Sequence, residues 1–449
     1  MDLRTRIAAQ RGRVQDELTE LVAIRSVADP RLAPPQECRR AAEWVSRAFA
    51  GVGFDDVRTA VTPDGSDAVV GSRSCGVPGV PTVLLYAHYD VQPALDEAAW
   101  HTPPFELTEV GDRWYGRGAA DCKGNILMHL TALRALGDEV PVDLKLVVEG
   151  SEEQGTGGLE AFVGRHPDLL RADVVLLADT GNAAVGRPAV TASLRGLVDL
   201  VVTVETLTSA RHSGIVGGPA PDALAALIAM LATLRDRHGN TTVRDLPDAQ
   251  AWAGAPYPPE RFRRDAGVLR GVSLLGDAPV ADMVWARSAL TVLGIDCPPV
   301  VGSASAVVPH VRARLNLRIP PGVEPDQAGA ALARHLLEVA PWRVKVGIEI
   351  GSTARPFRTD TDGPAHAAMA EAMRTAYGRP MCELGQGGSI PLCSVLATTY
   401  PEAEVLLIGV EEPESLIHAP NESVSPREIA DMALTEALFL QNLARSGTR

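Results

Sequence analysis

The sequence predicts an α/β fold in two domains: a three-layer α/β/α domain interrupted by an inserted α+β, ferredoxin-like domain. Two rhythms along the chain carry this prediction. In residues 1–191 the Val- and Leu-rich runs "VPTVLLYAHYDV", "PVDLKLVVEGSEE" and "ADVVLLADTG" alternate with helical stretches. That is the pattern of a largely parallel sheet covered on both faces. In residues 192–355 the strands "LRGLVDLVVTVET", "VRARLNLRIP" and "WRVKVGIEI" are separated by longer helices, as in a helix-on-antiparallel-sheet sandwich. The first rhythm resumes over residues 356–449, so one domain is inserted into another.

The elements follow in order. "MDLRTRIAAQRGRVQDEL", "ELTELVAIRSV" and "CRRAAEWVSRAFAGVGF" have helical periodicity, with Gly51 and Gly53 ending the last. "NILMHLTALRALGD" is a helix between the first two buried strands. In the insertion, "APDALAALIAMLATLRDRHG" and "PDQAGAALARHLLEVA" are helices, and one further strand is expected between residues 268 and 308. Residues 240–289, rich in Pro, Gly, Arg and Asp, have no readable pattern. After Arg355 come the helix "PAHAAMAEAMRTAYG", a Gly-rich turn, the strand "AEVLLIGV" and a last helix beginning near Pro426.

Composition excludes several classes of function. With 46% apolar and 22% charged residues over 449 positions, the chain is ordinary globular protein, long enough for two cores. Forty-two Lys and Arg against 56 Asp and Glu give a net charge of −14, which disfavours nucleic acid and anionic membrane as partners. No apolar run reaches the roughly 18 residues of a spanning helix. The N-terminus lacks the apolar core of a signal peptide, and the six Cys lack C-x-x-C spacing, so reduced thiols and a cytoplasmic location are expected.

Chemistry gathers at the strand ends. His88 and Asp90 in "LLYAHYDVQP" are two residues apart, a spacing that on a strand puts both on one face. Asp121 lies in the Gly-rich "YGRGAADCKGN" directly before a helix, where a lone Asp would serve as a cap. Glu152 and Glu153 in "EGSEEQGTGG" end an apolar strand; neighbouring carboxylates there repel and lose solvation unless cations hold them. Asp179 in "VVLLADTGN" and His418 in "LIHAPNESV" complete the set. One imidazole and one carboxylate per metal plus a shared carboxylate would suit two Zn²⁺ ions roughly 3.5–4 Å apart. Asp121 is the natural bridge, and Glu152 or Glu153 the acid left to move a proton.

The motifs "HYDVQP", "GRGAADCKG", "EGSEEQG", "DTG" and "HAPNES" resemble those of the M20 family of metallopeptidases, the dipeptidase, carboxypeptidase and aminoacylase group, and the match runs along essentially the whole chain. The resemblance implies His88, Asp121 and Asp179 on one zinc and Asp121, Glu153 and His418 on the other, with Mn²⁺ or Co²⁺ as alternatives. It implies Glu152 as general base and acid working on a metal-bridging water, and Asp90 as the partner that orients His88. It makes the insertion a lid through which two chains form a homodimer. His212 in "ARHSGIVGG" would then reach the neighbouring subunit's active site and bind the developing oxyanion. Arg318 in "NLRIPPG", with Gly388 and Ser389 in "GQGGSIPL", resembles the group that binds the substrate carboxylate.

Three positions depart from the family pattern: Cys122 follows the bridging aspartate, Ala306 precedes the "VVP" run, and Gln386 stands where an Arg is common. The expected substrate is a dipeptide or short peptide, with an N-acyl amino acid as the alternative. A non-catalytic binding protein and a dinuclear phosphoesterase are the rival classes. The intact ligand set argues against the first, and the scarcity of basic residues near the motifs against the second.

Overall fold

The computed structural model describes residues 1–247 and 249–446. The chain divides into two compact units: Met1–Ala192, Thr359–Leu384 and Leu392–Arg449 form the first, and Ser193–Arg358 with Gly385–Pro391 the second. Residues 385–391, which the sequence reading placed in the stretch 356–449, thus pack within the second unit.

A nine-stranded sheet runs through the first unit. Its centre is four parallel strands in the order Asp143–Glu149, Thr82–His88, Val174–Ala178 and Glu404–Ile408. Every residue from Val83 to His88 is buried, so this strand is covered on both faces. Val83, Leu85 and Ala87 pack into one core with Ile126 and Leu130 of the helix Lys123–Leu136 and Met432 and Phe439 of the helix Pro426–Ser446. Leu84 and Tyr86, pointing the other way, are equally buried. The helix Lys123–Leu136 is buried along almost its whole length, and among its buried polar residues Lys123, Asn125 and His129 are hydrogen-bonded.

The sheet is mixed rather than largely parallel. Asp55–Val61 and Asp67–Arg73 form an antiparallel hairpin on one flank, and Ala189–Leu194 runs antiparallel to Glu404–Ile408 on the other. The hairpin strands are joined by "TPDGS", a turn too short for the crossover that parallel pairing requires. The four parallel strands nevertheless bring their carboxyl ends to one edge, where an open α/β sheet binds its ligands.

The second unit holds a four-stranded antiparallel sheet in the order Ala289–Asp296, His310–Ile319, Gly196–Glu205 and Lys345–Ala354. Burial alternates along Gly196–Glu205, and the inward Val198, Leu200, Val202 and Val204 share a core with Leu227 and Met230 of the helix Ala223–Ala232 and Leu332 of the helix Pro325–Glu338. With the core helix Ala223–Ala232 between the first and second strands and Pro325–Glu338 between the third and fourth, this is the ferredoxin-like order. The strand expected between residues 268 and 308 is Ala289–Asp296. The unreadable stretch before it is organised by aromatic rings: Tyr257 stacks on Trp285 with centroids 5.3 Å apart, and Trp252 meets Trp285 edge-on at 5.3 Å. Among the described residues no helix is long and apolar enough to cross a membrane.

Candidate metal centre

The strand Thr82–His88 ends on His88, which is fully buried. Its Nε2 lies 3.0 Å from Asp121 Oδ1 and 3.1 Å from Asp179 Oδ1. Asp179 directly follows the neighbouring parallel strand Val174–Ala178, so register alone sets these two side by side. Asp121 stands before the helix Lys123–Leu136, joined to Cys122 by a cis peptide bond. Its second oxygen, Oδ2, is 2.9 Å from His418 Nε2, and that imidazole is 3.2 Å from Glu153 Oε2. Asp121 therefore stands between two imidazoles and gives one oxygen to each. His418 is half exposed and sits in a loop at φ +62°, a left-handed backbone that turns its ring toward the carboxylates.

Asp90 lies two residues past the end of the strand. Its carboxylate is 3.4 Å from His88 Nδ1, and its backbone carbonyl is closer, at 3.1 Å. The same carboxylate accepts the backbone N–H groups of Glu152 (3.2 Å) and Glu153 (3.0 Å). Asp90 thus contacts the histidine ring and also holds the turn that carries both glutamates.

Several residues of this cluster were not singled out from the sequence. Gln92 donates its side-chain amide to Glu153 Oε2 at 2.7 Å and its backbone N–H to Oε1 at 3.2 Å. Glu422, buried, pairs with Arg117 at 2.6 Å and accepts the N–H groups of Gly118, Ala120 and Asp121. Glu411, also buried, has a carboxylate oxygen within 4.8 Å of Asp121 and Asp179 oxygens. Gln92 and Glu422 stood inside the quoted motifs "HYDVQP" and "HAPNES", while Glu411 is the first of the acids in "VEEPES", a run that looks like a solvated loop.

The electrostatics of the cluster are those of crowded carboxylates. Burial and the neighbouring Asp179 push the Glu152 carboxyl well above the usual carboxylate range, and burial with the Asp121 charge does the same to Glu411. Burial also lifts Asp179 to about 6, against the pull of His88. Hydrogen bonds to Asp121 and Glu153 push His418 up to about 11. The cluster takes up protons against an excess of negative charge, and divalent cations would displace them. Its donors fall into two groups, His88 with Asp121 and Asp179, and His418 with Asp121 and Glu153. Imidazole nitrogen with carboxylate oxygen suits Zn²⁺, Mn²⁺ or Co²⁺. Cys122 Sγ also lies near His88 and Asp179. Burial raises that thiol to about 12, and it donates to the Ala178 carbonyl at 3.0 Å.

In the second unit, Arg318 Nη1 donates to Ser389 Oγ at 3.2 Å, and Ser389 Oγ donates to the Arg195 carbonyl at 2.6 Å. A Cβ on Gly388 would meet nothing within 4 Å, so the turn is open there. His212 is exposed in a two-residue strand that pairs with Ala306–Val307, with Ala306 directly opposite it. Its Nδ1 accepts the Gly214 N–H at 3.0 Å, which in the neutral ring leaves Nε2–H as a donor.

The family model described as peptidase family M20/M25/M40 matches residues 84–442. The chain is 43% identical over 441 residues to a cysteinylglycine-S-conjugate dipeptidase of Corynebacterium striatum, covering 97% of this chain and 96% of that protein. It is 28% identical to a Beta-Ala-His dipeptidase of Rattus norvegicus, over 81% of this chain and 77% of that one. Among solved structures, human carnosine dipeptidase 1 superposes with a TM-score of 0.82 at 24% identity, covering 99% of this chain and 98% of that one. The dipeptidase Dug1p of Saccharomyces cerevisiae gives 0.83 at 22% identity, with the same coverage. At these identities the two structures speak for the fold.

Proposed function

Because the chain belongs to peptidase family M20/M25/M40, we propose that it is a metal-dependent dipeptidase that cleaves the amide bond of dipeptides or short peptides. The observation that carries this reading is Asp121, buried and shared between two imidazole–carboxylate groups, with the protonatable Glu152 beside it. His88, Asp121 and Asp179 would hold one divalent cation and Asp121, Glu153 and His418 a second, zinc being the first candidate for both. Cations there supply Lewis acidity toward a peptide carbonyl and make water a stronger acid.

The chain's own residues do the rest. Glu152, whose raised proton affinity matches a group that must both take and give a proton, accepts the proton of the attacking water and returns it to the leaving amine. Asp90 and Gln92 fix the Glu152–Glu153 turn, so Glu152 need not reorganise between the two transfers. Arg318 and Ser389 take the carboxylate of the substrate, where a guanidinium fork matches a planar anion. His212, presented with Nε2–H outward, serves as oxyanion donor to a second copy of the chain in a homodimer formed through the second unit.

The test is release of free amino acids from a panel of dipeptides, cysteinylglycine S-conjugates first, and of N-acyl amino acids, by protein reconstituted with Zn²⁺, Mn²⁺ or Co²⁺. Dipeptide turnover that collapses in Glu152→Gln supports the reading. Turnover of N-acyl amino acids alone would keep the chemistry and replace dipeptidase with deacylase.

A further inference from the structure

Among the described residues Arg195 is a cation without an anion. It is 8% exposed, and among the described residues its guanidinium makes no ion pair. Nη1 has only two distant acceptors, the carbonyls of Met283 and Arg287, each at 3.5 Å, and the buried Nε has no hydrogen-bond partner. A guanidinium carries five N–H donors, and a buried one left uncompensated is strongly unfavourable. Its surroundings make this worse: burial and the nearby charge of Arg318 together lower its pKa to about 10.

Both arginines converge on one turn. The backbone of Arg195 accepts from Ser389 Oγ (2.6 Å) and donates to the Gln386 carbonyl (3.1 Å), while Arg318 Nη1 reaches the same Ser389 Oγ. The Arg195 side chain lies against the turn as well, because a Cβ on Gly387 would come within 2.8 Å of Nη2. Two cations, a hydroxyl and a glycine backbone face one locus. Asp199, in the strand that follows Arg195, is already engaged by Arg314 at 2.7 Å and Asn316 at 2.7 Å.

We propose that Arg195 is a second specificity-determining cation for the free carboxylate of the substrate, acting with Arg318 across the Gly387–Gly388–Ser389 turn. This rests on the dipeptidase reading, in which Arg318 and Ser389 already take the substrate carboxylate, and adds that the selection of a free carboxylate over a neutral analogue depends on Arg195. Rejection is expected because an amide would leave two guanidiniums facing one another with no anion between them.

The experiment compares kcat/KM for a dipeptide and for the same dipeptide as its C-terminal amide, in the wild type and in Arg195→Gln. The ratio of the two should fall about ten- to a hundredfold in the variant, mostly through KM, as expected for loss of a charge-assisted hydrogen bond. Gly387→Ala provides a second variant that retains the arginine while its Cβ displaces Nη2, and its ratio should fall in the same sense. A variant in which both substrates lose the same factor would show that Arg195 only supports the turn, and would overturn the proposal while leaving the dipeptidase reading intact. A wild type that cleaves dipeptide and amide equally well would overturn it too. A wild type that cleaves neither would overturn the dipeptidase reading itself, and this proposal with it.

Discussion

The N–H of Glu153 is hydrogen-bonded to Asp90 Oδ2 at 3.0 Å, so the residue that contacts the His88 ring also fixes the backbone of the opposite imidazole–carboxylate group. Asp90→Asn keeps the size of the side chain but leaves a single acceptor oxygen for two backbone donors, those of Glu152 and Glu153. We expect both metal affinity and kcat/KM to fall about 10- to 100-fold, as for other loss of support behind metal ligands. Competition against a chromogenic chelator measures the first and steady-state kinetics the second. An unchanged metal affinity would mean that the backbone carbonyl of Asp90 is enough to orient His88.

Glu152 and Asp121 should separate cleanly. Glu152→Gln should lower kcat by about 10²- to 10⁴-fold, the usual contribution of a positioned acid–base group, with metal stoichiometry unchanged. Asp121→Asn removes the charge shared by both imidazole groups and should reduce bound metal as well as activity. Atomic emission on the purified variants distinguishes them, and metal loss in Glu152→Gln would refute the division of roles.

Glu422 supports the site through the backbone. It is 1% exposed, pairs with Arg117, and holds the N–H of Asp121 at 3.1 Å. Glu422→Gln leaves Arg117, also 1% exposed, as an unpaired buried cation, for which a loss of about 3–5 kcal/mol of stability is expected. Denaturant unfolding gives the number. A loss below about 1 kcal/mol would show that Arg117 finds another partner.

Asp64 provides a pH dependence outside the metal cluster. Burial alone would raise its carboxyl, but hydrogen bonds from the Thr156 and Thr62 hydroxyls, the Ser66 backbone and the Ser151 hydroxyl override it and hold it well below the usual range. A depressed carboxyl contributes stability that is fully present above its unfolded pKa of about 4 and is lost as pH falls through its folded value. The stability gap between wild type and Asp64→Asn should therefore be largest near neutral pH and shrink below pH about 4. Thermal melts of both proteins from pH 7 down to pH 3 test this, and a gap that stays constant would contradict it.

How much of this was legible in the sequence depended on the surroundings of each residue. His88, Asp179 and the Glu152–Glu153 pair stood out because each follows a run of buried apolar residues, where a polar group needs a reason. Glu411 follows the strand Glu404–Ile408 just as closely, but two further acids after it disguise a buried carboxylate as a solvated loop. Arg195 was hidden differently: "SLRGLV" reads as an arginine on the edge of a strand, and only the fold shows that its guanidinium is enclosed. In the fold, the parallel centre was visible in its hydrophobic runs. The flanking hairpin was not, because Asp55–Val61 is mostly exposed and its alternation is weak. The aromatic cluster of Trp252, Tyr257 and Trp285 escaped because Trp285 is distant in sequence from the other two and the three share no period.

The strand Ala189–Leu194 leads into the second unit, and Phe357–Arg358 leads out of it, paired antiparallel with the residues at which the chain went in, Leu194 with Phe357 and Ser193 with Arg358. An insertion whose two ends are already neighbours adds almost no loop-closure entropy to the host, because to the rest of the sheet the whole segment is equivalent to a hairpin turn. That makes residues 195–356 a cassette, while the turn Gly385–Pro391, which completes the second unit, stays with the host chain. Evolution can lengthen the cassette, shorten it or exchange it for another recognition module, and an engineer can graft across the Leu194–Phe357 pair, without re-registering the parallel strands that set His88 beside Asp179.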